Sequence, residues 1–224
     1  MKKAVILFSG GLDSTTCLAI AKSEGYECYL LSIDYGQRHA SEINAAKKIV
    51  EHTEAKAHKV VNVDLRAIGG SALTDDAIDV PNYHNNEEIP ITYVPARNTI
   101  FLSIALGWAE VLDAEAVFVG ASCIDYSGYV DCRPEYFKAV QDVYNLATTA
   151  TADKGKSILI HTPLIHLSKA ETIKKGLALG VDYSLTVSCY QATHDGLACG
   201  QCDSCMLRKK GFKEASVPDP TRYL

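Results

Sequence analysis

The sequence predicts an α/β fold with a doubly wound, mainly parallel sheet, and three observations carry that expectation. Short apolar runs at 4–8, 28–33, 60–63, 116–119 and 158–160 are mostly followed by stretches of helical periodicity. Strands alternating with helices form crossover units, which stack into parallel sheets covered by helices on both faces. The first run ends in Gly10-Gly11 and turns directly into an amphipathic stretch, the mark of a ligand-binding strand end.

The elements follow in order. The run 4–8 leads through Ser9, Gly10 and Gly11 into a helix that stops near Gly25. A strand at 28–33 precedes a helix at 40–52 and a strand at 60–63. Residues 65–95 are polar and turn-rich (Gly69-Gly70, Asp75-Asp76, Asn85-Asn86, Pro81, Pro90) and are expected to form a partly ordered lid. A helix at 96–112 then precedes the strand 116–119, and Pro134 suits the first turn of a helix at 134–146. After the strand 158–160, Ser168 and Glu171 have capping-box spacing, and Gly180 ends that helix. The division expected is an α/β domain over 1–184 with a cysteine-rich segment, 185–224, packed on it.

Bulk properties exclude several classes. A chain of 224 residues with 47% hydrophobic and 22% charged residues fits one soluble domain with a small appendage. Its net charge of −5 argues against a broad nucleic-acid surface, and no apolar run approaches a membrane span. Lys2-Lys3 leads straight into a strand without a signal peptide, so the expected location is the cytoplasm. The eight cysteines should then be reduced, pointing to metal or catalysis rather than disulfides.

Phe8-Ser9-Gly10-Gly11-Leu12-Asp13-Ser14-Thr15 is the segment richest in chemical meaning. A helix start presents unpaired N–H groups at its positive end, and glycines let the backbone approach phosphate oxygens. Ser9 and Ser14 add hydroxyls, and Asp13 can hold a divalent metal that bridges phosphates. Neither Gly-x-x-x-x-Gly-Lys-Ser/Thr nor Gly-x-Gly-x-x-Gly is present. Ser-Gly-Gly-x-Asp-Ser instead resembles the signature of the PP-loop ATP pyrophosphatases. That resemblance implies cleavage of ATP between its α and β phosphates and transfer of AMP to a carbonyl or amide oxygen.

Cys189, Cys199, Cys202 and Cys205 are spaced C-x9-C-x2-C-x2-C, with Gly200 between the steps. Four thiolates suit a closed structural zinc site, and an iron–sulfur cluster would use the same ligands. His194 is near enough in sequence to compete, while a solvated loop histidine is the alternative. Cys17 and Cys28 read as small core residues.

Further blocks narrow the resemblance. These are Tyr35-Gly36-Gln37-Arg38-His39 with Glu42, Pro95-Ala96-Arg97-Asn98, the stretch from Asp125 to Arg133, Pro163-Leu164 before Lys169 and Glu171, and Ser188-Cys189-Tyr190 before the remaining cysteines. Together they are similar to the 7-cyano-7-deazaguanine synthase family, QueC or ExsB, over about residues 4–212. Val130 stands where that family commonly has proline. The resemblance implies a PP-loop, adenine nucleotide alpha hydrolase-like fold and a homodimer. It also implies a ligase that makes the nitrile from 7-carboxy-7-deazaguanine, ammonia and ATP, with Mg²⁺ accompanying the nucleotide.

Site expectations follow from that chemistry. Phe8 to Thr15 and Lys169 would contact ATP, unless Lys169 lies on a solvated helix face. Arg97 and Arg133 would take the substrate carboxylate and the α-phosphate, because a guanidinium is a planar bidentate donor. Asp131 and Asp125 could accept from the guanine-like ring, or either could cap the helix at Pro134. Tyr129 could stack on the deazapurine or simply pack. Arg38 and His39 could contact phosphate or carry protons for ammonia. Cys123 and Cys132 fall in the same block, but AMP already activates the oxygen, so no thiol step is required.

Overall fold

The computed structural model describes residues 1–38, 41–83, 89–124 and 128–224. Strands β1 (Lys3–Leu7), β2 (Glu27–Asp34), β3 (Ala57–Asn62), β4 (Ala116–Phe118) and β5 (Leu159–His161) form one parallel sheet in the order β3-β2-β1-β4-β5. The helices are α1 (Leu12–Ser23), α2 (Ser41–Glu51), α3 (Arg97–Leu112), α4 (Pro134–Ala147), α5 (Thr149–Lys154), α6 (Lys169–Ala178) and α7 (Asp203–Ala215).

Alternation along the strands explains why both faces are covered. Val5, Leu31 and Val117 pack with Leu102, Ala105, Trp108, Phe137 and Tyr144 of α3 and α4. Their neighbours Ala4, Ile6, Leu30 and Phe118 point the other way, onto Leu18 and Ala21 of α1 and Ala46 and Ile49 of α2. The chain winds outward from β1 through β2 to β3, then returns to β4 and β5 on the other side. The winding therefore reverses between β1 and β4. A crevice opens at such a reversal beyond the carboxyl ends of the strands.

Local signals act as expected at several ends. Ser168 caps α6, accepting from Glu171 N–H at 3.2 Å, and Glu171 Oε2 accepts from Ser168 N–H at 2.8 Å. Gly25 and Gly180 have φ of 82° and 79°, the left-handed conformation that ends a helix without a Cβ clash.

The region 65–95 departs from the expected lid. Its described parts send Ala72, Leu73, Val80 and Val94 into the main core, where each is less than a tenth exposed. These residues are spaced without helical or strand period, so periodicity could not reveal their burial. Residues 84–88, which include Asn85-Asn86, lie outside the described residues. The segment 185–224 contains α7, packed against α6. Among the described residues no helix is long and apolar enough to cross a membrane.

Candidate active site and metal centre

The loop between β1 and α1 lies at the reversal point and is held from three sides. From behind, α2 packs so closely that a Cβ on Gly10 (φ 80°) would stand 2.4 Å from the Ala46 nitrogen. From β4, a Cβ on Gly120 would stand 3.0 Å from the Asp13 carbonyl carbon. From the cysteine segment, Ser188 Oγ accepts from Leu12 N–H at 3.0 Å, and Val187 N–H donates to Gly10 O at 3.2 Å. Gly11, the N-cap of α1, offers no side chain, and its own N–H donates to Ser9 Oγ at 3.3 Å. Ser14 and Thr15 hydroxyls turn back to Gly11 O at 3.1 and 2.8 Å.

Asp13 extends from the first turn of α1 and meets Lys169, the first residue of α6. Lys169 Nζ donates to both carboxylate oxygens at 2.7 and 2.8 Å, and its side chain is only 15% exposed. This excludes a solvated helix face for Lys169. Gly211 of α7 leaves room for the lysine stem, since a Cβ there would stand 2.4 Å from Lys169 Cγ.

The loop opens onto a cavity of about 300 Å³ lined by Ser9, Gly11, Asp13, Glu42, Arg97 and Ser188, among others. Phe8, Leu12, Ser14 and Arg38 also line it, as do Tyr35, Asn98 and Cys132. Arg97 opens α3 after Ala96, which adopts φ 56°. Its guanidinium lies 5.9 Å from the Tyr35 ring centroid and 5.8 Å from that of Tyr129. Burial works against its charge, yet Tyr35, Tyr129, Tyr190 and Asp131 hold Arg97 above the ordinary arginine value. Burial also pushes the Glu42 carboxyl up to about 7, with Arg97 opposing the rise and Cys202 adding to it.

The remaining expected contacts separate. Asp131, 5% exposed, does not cap α4. Its Oδ2 accepts from Asn98 N–H at 3.2 Å, at the start of α3, while α4 has no side-chain cap. The helix it serves is 33 residues back in the chain, a tertiary choice that local capping rules cannot see. Asp131 Oδ1 is buried without a hydrogen-bond partner among the described residues. The Tyr129 hydroxyl bonds to Thr92 Oγ1 at 3.0 Å and Tyr190 hydroxyl at 3.1 Å, beside rather than in the cavity lining. Arg38 Nη2 donates to the Asp75 carbonyl at 2.7 Å and to that of Ile78, tying down the 65–95 region. Arg133 is exposed at the start of α4, next to Cys132 of the lining but not part of it. His39 and Asp125 lie outside the described residues.

The ligand atoms of Cys189, Cys199, Cys202 and Cys205 all lie within 4.8 Å of one another. Backbone N–H groups point at two of them: Gln191 and Cys199 donate to Cys189 Sγ at 3.3 Å each, and Cys202 donates to Cys199 Sγ at 3.4 Å. Hydrogen bonds from Cys189 and Cys205 pull the Cys202 thiol below the ordinary cysteine value. Such a set could hold a metal ion. His194 is exposed and pairs with Asp195 instead, and Cys17 and Cys28 are buried in the core.

Comparison with known proteins bears on this arrangement. The family model described as queuosine biosynthesis protein QueC matches residues 3–216. The chain belongs to the QueC family. It is 68% identical to the 7-cyano-7-deazaguanine synthase of Coxiella burnetii strain RSA 331, covering 100% of this chain and 99% of that one. It is 64% identical to the synthase of Saccharophagus degradans, with 99% and 98% covered. Against that of Legionella pneumophila strain Corby it is 60% identical, with 100% and 97% covered. A predicted subunit of tRNA methyltransferase from Methanocaldococcus jannaschii matches at a TM-score of 0.52 with 14% identity, covering 100% of this chain and 93% of that one. That likeness is one of fold.

Residues from several of the QueC sequence blocks, among them Tyr35, Glu42, Arg97, Cys132 and Ser188, line one crevice, though they are scattered along the chain. Three contributors were not assigned roles from sequence: Gly120, Glu42 and Ser188. Gly120 directly follows the apolar run 116–119, so a glycine at a second strand end was the available signal. Ser188 had only its place beside Cys189.

Proposed function

We propose that this chain is an ATP-dependent 7-cyano-7-deazaguanine synthase, a C–N-forming ligase acting on 7-carboxy-7-deazaguanine and ammonia. The observation that carries the reading is that the glycine loop and Arg97 open onto the same cavity. A carboxylate is a poor electrophile until its oxygen becomes part of a leaving group. Attack of that oxygen on the α-phosphorus of ATP forms an acyl adenylate and releases pyrophosphate. Ammonia then displaces AMP to give the amide. A second adenylation, at the amide oxygen, lets C–O cleavage expel AMP and leave the nitrile.

The residues divide between these tasks. Phe8 to Thr15 form the ATP cradle, with the N–H groups of Gly11 and Leu12 now met by the hydroxyls of Ser9 and Ser188, which phosphate oxygens can displace. Lys169 is a cation at the same loop, suited to the phosphates and paired with Asp13. Mg²⁺ would be held at Asp13 and would neutralise charge on the phosphates. Arg97 supplies the cavity's guanidinium for the carboxylate or α-phosphate, and Asp131 Oδ1 is an acceptor suited to a ring N–H. Tyr129, Arg133, Arg38 and His39 are assigned supporting contacts with the substrate.

Zinc is the ion proposed for the cysteines. Four sulfurs about 2.3 Å from one ion stand roughly 3.8 Å apart, and Cys199 Sγ lies 4.0 Å from Cys205 Sγ. Sulfurs this close suit a single ion rather than a multi-iron cluster. A filled set of four leaves no open position, so the role is structural, in a segment 185–224 distinct from the α/β domain 1–184. A homodimer is consistent with Val111, Val143 and Leu146 exposed on α3 and α4. The deciding experiment incubates the protein with 7-carboxy-7-deazaguanine, ammonium, Mg²⁺ and ATP, followed by mass spectrometry. Nitrile with AMP and pyrophosphate is expected; ADP as the sole nucleotide product would overturn the adenylation mechanism.

A further inference from the structure

The reaction sheds protons from nitrogen at every stage, and a group must receive them. An ammonium ion gives up one proton before it can attack the acyl adenylate and a second as the neutral amide forms. The amide loses one N–H proton when its oxygen takes AMP. It loses the other as the C–O bond breaks, the N–H electron pair becomes part of the C≡N bond, and AMP leaves with the C–O pair. The cavity lining holds two carboxylates among the described residues, Asp13 and Glu42. Asp13 is occupied by Lys169 on both oxygens. Glu42 projects from the first turn of α2 into the same cavity, and no hydrogen bond or ion pair engages its carboxylate among the described residues.

Resting on the adenylation reading above, we propose that Glu42 is a catalytic residue whose carboxylate accepts the N–H protons of ammonium and of the adenylated amide. Its surroundings fit that task. Arg97, Arg38, Asp13, Tyr35, Tyr190 and Cys189 line the same cavity. Burial raises the carboxyl to about 7 against the pull of Arg97, so it can take and return protons near neutrality. The fixed backbone beneath it also limits drift, since a Cβ on Gly10 would lie 2.9 Å from the Glu42 carbonyl oxygen.

Two assays on the intact protein separate this role from substrate binding: ATP–pyrophosphate exchange dependent on 7-carboxy-7-deazaguanine, and nitrile formation dependent on ammonium. Glu42→Gln should keep exchange within about threefold of wild type while nitrile formation falls about 100-fold or more. Glu42→Asp, which keeps the carboxylate, should recover part of that loss and stands in if the glutamine variant does not fold. Nitrile formation within threefold of wild type in both variants would overturn the proposal. So would exchange falling in step with nitrile formation, which would make Glu42 a binding group. Absence of exchange in the wild-type protein would overturn the adenylation reading itself, and this inference with it.

Discussion

Ser188 accepts a hydrogen bond from the Leu12 N–H across 176 residues of sequence, at 3.0 Å. It does for α1 what the N-cap residue Gly11 cannot, because glycine has no side-chain acceptor. Ser188 is itself held by the cysteine segment, where Ser204 Oγ donates to its carbonyl at 2.6 Å. The glycine loop is thus braced by residues adjoining the four cysteines. Ser188→Ala removes that cap, and denaturant unfolding should show a loss of about 1 kcal/mol. An unchanged midpoint would mean that the contact contributes nothing to holding the loop.

Lys169 and Asp13 make the corresponding brace between α6 and α1. The Asp13 side chain remains 34% exposed, so water can solvate it once the lysine is gone. Lys169→Met should therefore cost about 1 kcal/mol or less in stability. Substrate-dependent ATP–pyrophosphate exchange should fall by about 100-fold, because the cation expected at the phosphates is lost. Exchange within threefold of wild type would remove Lys169 from the nucleotide site.

Metal removal should act at a distance. None of Cys199, Cys202 and Cys205 lines the cavity, yet α7 begins at its N-cap Cys202 and carries Gly211 against the Lys169 stem. Elemental analysis should find about one zinc per chain in wild type and little in Cys202→Ser, with a melting temperature lower by several degrees. A serine variant that kept its metal and its melting temperature would refute a closed four-thiolate site.

What could be read from the sequence depended on how local its cause was. β1, the Gly10-Gly11 turn and the Ser168-Glu171 cap are decided within a few residues, and each stands where expected. The cysteine set was legible because thiolate spacing is a chemical signal that survives irregular backbone. The helix that Asp131 serves was not legible locally, because its Oδ2 bonds to Asn98 at the start of α3 rather than capping α4, and the burial of Ala72, Leu73 and Val80 follows no period. Lys169 could be associated with phosphates by resemblance. Its bond to Asp13, 156 residues away, needed the fold.

The edge strand β3 provides a test in pH. His58 Nε2 lies 2.8 Å from Ser32 Oγ, and Ser32 Oγ donates its single proton to the Phe8 carbonyl at 2.5 Å. The Nε2 atom must then carry the hydrogen in this contact, which leaves Nδ1 as the nitrogen that takes a proton on acidification. Burial, aided by Lys47, lowers the His58 value below that of an ordinary histidine. The unfolded chain therefore binds this proton more readily than the folded one. Stability is fully present above the unfolded value of about 6.5 and is lost as pH falls through the folded value. His58→Gln can still donate to Ser32 but cannot titrate. Thermal melts at pH 7.5 and 5.5 should show the wild type losing more stability than the glutamine variant over that interval. Equal losses would mean that protonated His58 is accommodated beside Phe8 without strain on the strand that leads into the glycine loop.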